Sequence, residues 1–502
     1  MSNEFSSTIR ITLSIYAGTI IGAITVILLP WALQTEENVG FYRFLNSSAY
    51  LISYFCGLGM FQTIQKFFPH YENKELSHYG FFRYTWLGPL VVFGAFIIIM
   101  VLSRHLVLSL FFKGTGEIMI HKHYLLIGLL SGVYLVFGLA QSVAQAFDRL
   151  GHLIFCREVI LRFVTLMLAL FTGFLLVSTS AFYNYYLGIN IVILIWGLHW
   201  MVMQPSWSFG PYNGPPKLDR PSLRQFSLFS FLNQANTYLV ENIDAFLITF
   251  LAVKGMADTG VFSIFLFMGQ VIAIPQRAMY ATFAPRIARA FHQQNYDLIH
   301  NIYKKSALMQ LIISGLMYML LEVNINSIIQ FFSKFGDGYA AGGAVAIIIG
   351  FGKLVDSATG INSAILNFSA YYRWNFIINF ILLLILIIAD VLLIPSYGLQ
   401  GAAVATALAY IVYNLIKLVV IYNYLKVQPF DSNTLKTILI IIAGILLCSI
   451  IPRMGSIYSD MIFRTFIVGV YYGLSVYFLK LSADINRFID QTLIKLRLMS
   501  YR

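Results

Sequence analysis

Residues 376–388 read Phe-Ile-Ile-Asn-Phe-Ile-Leu-Leu-Leu-Ile-Leu-Ile-Ile, a run with one polar residue and no alternation of polar and apolar positions. In hydrocarbon, backbone polar groups must be paired within a helix or within a closed barrel. Barrel strands alternate between lipid-facing and lumen-facing residues, and this run does not. The run therefore predicts a membrane-spanning helix.

Similar apolar blocks recur along the 502 residues, of which 59% are hydrophobic and 11% charged. Soluble domains carry about 25% charged residues, and a helix needs about 20 residues to cross a bilayer. The blocks predict an all-α polytopic membrane protein with about fourteen transmembrane helices. The spans are expected near 9–31, 42–64, 83–103, 123–146, 154–177, 182–203, 226–250, 260–283, 306–323, 341–366, 376–394, 400–424, 435–452 and 461–480.

The basic residues predict how the chain sits in the membrane. With the N-terminus inside, most of the 33 Lys and Arg residues fall in inner loops and at inner helix ends. Because cytoplasmic loops are enriched in Lys and Arg, both termini are predicted to be cytoplasmic. Topology also accounts for the net charge of +12, so we expect no nucleic-acid partner.

A proline-rich connection near the middle of the chain predicts two halves. We expect four segments: an N-terminal half of six helices, a cytoplasmic linker, a C-terminal half of six helices, and two further helices with a basic cytoplasmic tail. Their bounds are 1–203, 204–224, 225–425 and 426–502. An internal echo pairs Gly40 with Gly260 and Pro69 with Pro285, which indicates pseudo-symmetric halves of the kind that transporters use.

Two stretches resemble a known family. Residues 242–290 contain Asp244, the Gly260-Val261-Phe262 turn, Pro275 and Pro285, and residues 397–406 are rich in small residues. They resemble the multidrug/oligosaccharidyl-lipid/polysaccharide flippase superfamily, especially its polysaccharide-export and Wzx-type O-antigen branch. The lipid II branch of that superfamily typically has an arginine in its first helix, whereas residues 11–31 carry no charge here.

The resemblance implies a function in the bacterial inner membrane. It implies a flippase that moves an undecaprenyl-diphosphate-linked oligosaccharide from the inner to the outer leaflet by alternating access, for cell-surface polysaccharide biosynthesis. The partners expected are this lipid and the surrounding membrane lipids, with H⁺ or Na⁺ as a coupling ion, and the protein is expected to function as a monomer.

Polar residues on the seventh span are candidates for ion coupling. Glu241 and Asp244 are three positions apart on a helix that also carries Asn233 and Asn236. Two neighbouring carboxylates repel each other, which favours a shared proton or a bound cation. A salt bridge or helix cap near the outer surface explains the same residues equally well.

Cations within or beside spans are candidates for a diphosphate path, because each charge in the membrane needs an explanation. Lys353 is expected near the midplane, where Asp356 one turn away either neutralises it or takes part in ion coupling. Arg277, preceded by Gln270 on the eighth span, either grips phosphate or extends to the interface. Arg43 begins a polar stripe on the second span that includes Tyr50 and Tyr54 and suits sugars, and interfacial placement is the alternative for Arg43.

Other functions have weaker support in the sequence. It contains no HExxH, CxxC, GxSxG or P-loop motif, so we expect no enzyme activity, no metal and no cofactor. An ion-coupled drug/cation antiporter of the same superfamily is the main alternative, and it has no need of a cationic path. A membrane polysaccharide polymerase is less favoured, because no outer loop is long enough to form a catalytic domain.

Overall fold

The computed structural model describes residues 2–68, 77–106, 115–147, 150–203, 220–450 and 453–495. The chain divides into two compact units, unit 1 with residues 1–250 and 254–260 and unit 2 with residues 251–253 and 261–502. The described residues are overwhelmingly helical and contain no strand, which confirms the predicted all-α fold.

In the described ranges, nine helices and one π-helical segment lie wholly or almost wholly in unit 1. They are α1 (Ser2–Leu33), α2 (Glu36–Gly57), α3 (Met60–Phe67), α4 (Ser77–Leu102), α5 (Thr115–Ala146), α6 (Leu150–Ile154), the π-helix (Phe155–Leu161), α7 (Arg162–Gly173), α8 (Thr179–Val202) and α9 (Arg220–Leu251). Helix α2 packs along α5, α5 along α8, and α1 along α7.

The remaining helices belong mainly to unit 2. They are α10 (Met256–Val271), α11 (Ile274–His292), α12 (Tyr296–Phe332), a 3₁₀ turn (Asp337–Ala341), α13 (Gly342–Ala358), α14 (Asn362–Phe368), α15 (Tyr372–Leu425), α16 (Ser432–Ile450), α17 (Ile457–Phe478) and α18 (Ala483–Lys495). Helix α12 packs against α13, α16 and α17, and α13 packs along α15.

Polar side chains define where several helices begin. The Thr35 hydroxyl accepts a hydrogen bond from the Asn38 amide at 3.2 Å and caps α2, whose first turn carries Glu36 and Glu37. The Asn295 side chain caps α12 through the Leu298 amide at 2.9 Å. These caps satisfy backbone donors that have no partner within the helix, and the acidic first turn complements the helix dipole.

Eight helices in the described ranges are long and apolar enough to cross a membrane, or nine when α10 and α11, bent by 46° at a break, count as one span. The protein is therefore a multi-pass membrane protein, whereas the number fourteen stays a prediction. Helix α15 is interrupted at Gly398 (φ 55°, ψ −130°), between the spans predicted at 376–394 and 400–424.

The predicted division into halves at 204–224 also stays a prediction, since residues 204–219 lie outside the described ranges. Helix α9, which opens the predicted C-terminal half, packs within unit 1. Of the two repeat pairs, Pro69 lies outside the described residues, whereas Gly40 and Gly260 lie against each other in unit 1.

Candidate functional site

Unit 1 contains a partly open cavity of about 290 Å³, which we call the unit 1 cavity. Its wall combines tyrosines, primary amides, small hydroxyl side chains and one arginine. The lining residues are Tyr50, Ser53, Tyr54, Phe61, Gln62, Gln65, Tyr134, Gly138, Gln141, Ser142, Arg157 and Gln234.

Arg157 supplies the positive charge of this cavity. It lies in the π-helix, a segment type that often occurs at functional sites. Its Nη2 donates to the Tyr50 hydroxyl at 2.7 Å, and its Nη1 donates to Gln141 Oε1 at 3.2 Å. The guanidinium also lies 5.4 Å from the Tyr50 ring centroid and 5.7 Å from that of Phe137. Each Nη carries two N–H donors, so the group has further hydrogen-bonding capacity.

The aromatic wall of the cavity is held in place by hydrogen bonds behind it. Tyr50 stacks on Tyr134 with ring centroids 4.0 Å apart. The Asn46 side-chain oxygen accepts from the Tyr134 hydroxyl at 2.7 Å and from the Tyr186 hydroxyl at 2.8 Å. These bonds fix the orientation of the ring that faces the cavity.

The amide wall is similarly braced. Ser230 donates to Gln62 Oε1 at 2.7 Å and accepts from Gln234 Nε2 at 3.1 Å. Gln65 donates to Gln145 Oε1 at 2.8 Å. Each amide side chain has two donors and an acceptor, so part of this capacity is left for a polar ligand.

A second polar group lies between the beginning of α2 and the later part of α9. Arg43 Nη2 donates to Asn242 Oδ1 at 3.0 Å, and Ser47 donates to the same oxygen at 3.2 Å. Arg43 also interacts electrostatically with Asp244 and Glu241. The structure thus brings the predicted cation of the second span together with the predicted carboxylates of the seventh.

The predicted common face of the seventh span is not uniform. Asp244 and Asn236 are buried, Asn233 is half-buried, and Glu241 is exposed. The two carboxylates therefore lie in different environments. Their role in ion coupling stays a prediction.

In unit 2, no salt bridge joins Lys353 and Asp356 within the described residues. Lys353 Nζ lies 3.5 Å from the centroid of the Tyr410 ring on α15. Asp356 is buried and accepts a hydrogen bond from Asn414 Nδ2 at 2.9 Å. Both side chains contact partners on α15. The predicted roles of Lys353 in the substrate path and of Asp356 in ion coupling stay predictions.

Arg277 is the residue predicted to bind phosphate on the eighth span. It follows the break between α10 and α11, and its side chain is exposed, while Gln270 is half-buried before the break. Exposure agrees with interfacial placement and leaves a substrate role as a prediction.

The sequence analysis missed Arg157 and Lys417 as site candidates, because both were counted as topological charges at inner helix ends. Yet both lie within the spans predicted at 154–177 and 400–424, and a charge inside a span is itself a functional signal. The described residues contain no group of three or more His, Cys, Asp or Glu side chains that could hold a metal ion.

Comparison with known proteins adds evidence about the fold. No protein-family model and no curated protein sequence matches the chain. Among solved structures, the lipid II flippase MurJ in an inward closed conformation matches with a TM-score of 0.73 and 14% identity, over 94% of this chain and 98% of that chain. An inward-facing multidrug resistance MATE transporter matches with a TM-score of 0.65 and 12% identity, over 84% and 98%.

The chain has the fold of these transporters. A transporter from Pyrococcus furiosus also matches, with a TM-score of 0.54 and 13% identity over 84% of this chain and 95% of that one. The MATE transporter belongs to the superfamily that the sequence resembles. At these identities the likeness concerns the fold alone, and the polysaccharide-export branch stays a prediction.

Proposed function

We propose that the protein is a flippase for an undecaprenyl-diphosphate-linked oligosaccharide and that the unit 1 cavity holds the headgroup. The observation that carries this proposal is the Arg157 guanidinium in a cavity walled by tyrosines and glutamines. A diphosphate crossing a low-dielectric region needs its charge met by donors. A guanidinium forms paired, charge-assisted hydrogen bonds with phosphate oxygens.

The rest of the wall suits the sugar. Tyr50 and Tyr134 present rings that are stacked and held by hydrogen bonds, while Gln62, Gln141 and Gln234 present amide groups. Rigid aromatic rings provide apolar area at little entropic cost, and amides donate to and accept from hydroxyl groups. A lining of this kind fits a polar, ring-shaped headgroup better than a fully apolar compound.

The predicted topology places this cavity in the inner half of the membrane. Helix α2 is expected to run from the outer to the inner side, so that Gln65, just beyond it on α3, lies near the cytoplasm. Arg157 lies near the inner end of the fifth predicted span. A headgroup assembled at the inner leaflet therefore reaches Arg157 first, and an alternating-access cycle carries it outward.

The MATE-like fold keeps a drug/cation antiporter as the second candidate. The positive charge in the unit 1 cavity argues against it, because an organic cation entering the cavity is repelled by Arg157. The two functions therefore predict ligands of opposite charge for the same cavity.

The test is a titration of the purified protein in detergent with undecaprenyl diphosphate, undecaprenyl monophosphate and tetraphenylphosphonium. A hydrogen bond to a charged group contributes about 1.5–3 kcal/mol. Arg157→Ala should therefore weaken diphosphate binding roughly 10- to 100-fold. Arg157→Lys should recover only part of that loss, since lysine lacks the paired donors.

The exposed Arg83 of the same unit provides the matched control, because Arg83→Ala removes one positive charge outside the cavity. It should leave diphosphate affinity unchanged. If Arg83→Ala and Arg157→Ala lost the same affinity for the diphosphate, the effect would come from net charge and not from a contact within the cavity. The antiporter would be favoured if the wild type did not bind undecaprenyl diphosphate and if Arg157→Ala bound tetraphenylphosphonium more tightly than the wild type does.

A further inference from the structure

One face of helix α5 forms a side of the unit 1 cavity and carries a glutamine beside Arg157. The lining residues on this face are Tyr134, Gly138, Gln141 and Ser142, which follow helical spacing. Gly138 lets α3 pack close to this face, since a Cβ there would lie 2.8 Å from the Phe61 ring. Gln141 therefore faces the cavity, where it contacts Arg157 on the π-helix.

The contact between Arg157 and Gln141 fixes the orientation of the amide. Arg157 Nη1 donates to Gln141 Oε1 at 3.2 Å. A guanidinium carries N–H donors and no acceptor, so only the oxygen of the amide can face it. The N–H donors of Gln141 Nε2 are thereby turned away from Arg157, and within the described residues Nε2 donates to no other group. The two side chains together present a row of donors to the cavity.

No carboxylate within the described ranges occupies this row by a salt bridge. Glu158 directly follows Arg157, but its carboxylate forms a salt bridge with Arg162 at 2.6 Å. The partner of Arg157 Nη2 is the hydroxyl of Tyr50, which is a neutral group. The remaining donors of the guanidinium and of Gln141 therefore suit an anion, because charge-assisted hydrogen bonds to phosphate oxygens are short and strong.

We propose that Gln141 makes the unit 1 cavity select a diphosphate over a monophosphate. The paired donors of Arg157 suit the oxygens of one phosphoryl group. The amide nitrogen of Gln141 is bonded to the same carbon as the oxygen that contacts Nη1, so Nε2 lies beside the guanidinium and extends the row of donors. The second phosphoryl group of a diphosphate uses this extension. A monophosphate uses Arg157 alone.

This inference rests on the proposed flippase function and deepens it, because it moves Gln141 from the wall that suits the sugar to the site of the diphosphate. The two proposals fail separately. Inorganic pyrophosphate and orthophosphate carry neither lipid nor sugar, so they test the row of donors without requiring that the protein bind or move a lipid.

The experiment is isothermal titration calorimetry of the purified protein with inorganic pyrophosphate and with orthophosphate, in magnesium-free buffer. The wild type should bind pyrophosphate more tightly than orthophosphate. Gln141→Leu keeps the net charge and removes the amide donors. It should weaken pyrophosphate binding roughly tenfold and orthophosphate binding by less than about twofold, since only pyrophosphate loses a hydrogen bond to a charged group.

A second variant tests the orientation of the amide. Gln141→Glu keeps an oxygen that accepts from Arg157, but it replaces the N–H donors with a negative charge. It should abolish binding of both anions, because a carboxylate beside the guanidinium takes its donors and repels phosphate. If Gln141→Glu bound pyrophosphate as the wild type does, the ligand would not contact this row, and the inference would be overturned.

Gln62→Leu is the matched control, because Gln62 lines the same cavity and its amide oxygen accepts from Ser230. It should leave the ratio of the two affinities unchanged. If Gln141→Leu weakened both anions equally, Gln141 would act only by orienting Arg157, and the inference would be overturned. A wild type that bound both anions equally would overturn it as well. Pyrophosphate selectivity that depends on Gln141, without binding of undecaprenyl diphosphate, would support this inference and contradict the flippase proposal.

Discussion

At the scale of single residues, the position of Arg157 depends on Tyr50. The Tyr50 hydroxyl accepts the shorter of the two hydrogen bonds from the guanidinium, at 2.7 Å. Tyr50→Phe keeps the ring stacked on Tyr134 and removes only that acceptor. Since a typical hydrogen bond contributes about 1 kcal/mol, we expect diphosphate affinity to fall roughly fivefold as the guanidinium loses its fixed orientation.

The measurement is the undecaprenyl diphosphate titration, with Tyr185→Phe as the matched control. Tyr185 is an exposed tyrosine of the same unit, and its hydroxyl should contribute nothing to headgroup binding. Unchanged or tighter binding in Tyr50→Phe would show that the hydroxyl competes with the ligand for Arg157 instead of orienting it.

Some of these residues could be predicted from the sequence and some of their partners could not, because the partners lie on other helices. Tyr50 and Tyr54 were predicted as part of a polar stripe that suits sugars, and both line the unit 1 cavity. Lys353 was predicted near Asp356, yet its partner is Tyr410, about 57 positions along the chain. One-turn neighbours can be read from helical spacing, whereas a partner on another helix depends on packing that a single sequence does not reveal.

At the scale of helices, the repeat pair Gly40 and Gly260 marks a close crossing of α2 and α10. A Cβ on Gly40 would lie 1.8 Å from the Met256 carbonyl oxygen, and one on Gly260 would lie 2.1 Å from that of Glu36. The two clashes are reciprocal, since each glycine faces the carbonyl four residues before the other. Small residues allow backbones to approach in this way.

We therefore expect Gly40→Ala and Gly260→Ala each to destabilise the protein by about 1–3 kcal/mol, the usual cost of forcing atoms into a packed interface. Thermal unfolding measures the loss. Gly94→Ala, in the middle of α4, is the control because its added Cβ meets no atom within 4 Å. It should be neutral or slightly stabilising, as alanine is the better helix former. Equal effects at all three positions would point to helix propensity and not to the crossing.

Breaks within helices were harder to predict than the helices themselves. Hydrophobic runs predicted helical residues throughout, and the interruption of α15 at Gly398 lies where two spans were separated. The π-helix at Phe155–Leu161 had no signal, because its residues are as compatible with an α-helix as with a π-helix. That segment positions Arg157, so the placement of the central residue of the candidate site could not be predicted from composition.

At the scale of the whole molecule, the all-α membrane fold followed from the lack of charge and the length of the apolar runs. The comparisons confirmed the fold, with the MurJ-like match extending over 94% of the chain. The number of spans did not follow as firmly. Helix α15, for example, is one candidate span of 54 residues in the described ranges, whereas the sequence predicted two spans there.

The orientation of the molecule follows from its basic residues and is open to a direct test. The connection at Val253, between α9 and α10, is predicted to face outward, and the turn at Gln293, between α11 and α12, to face the cytoplasm. Both positions are exposed. In a variant without the three native cysteines, Val253→Cys should react with a membrane-impermeant maleimide in intact spheroplasts. Gln293→Cys should react only after permeabilisation, and the reverse pattern would invert the topology and place Arg157 in the outer half of the membrane.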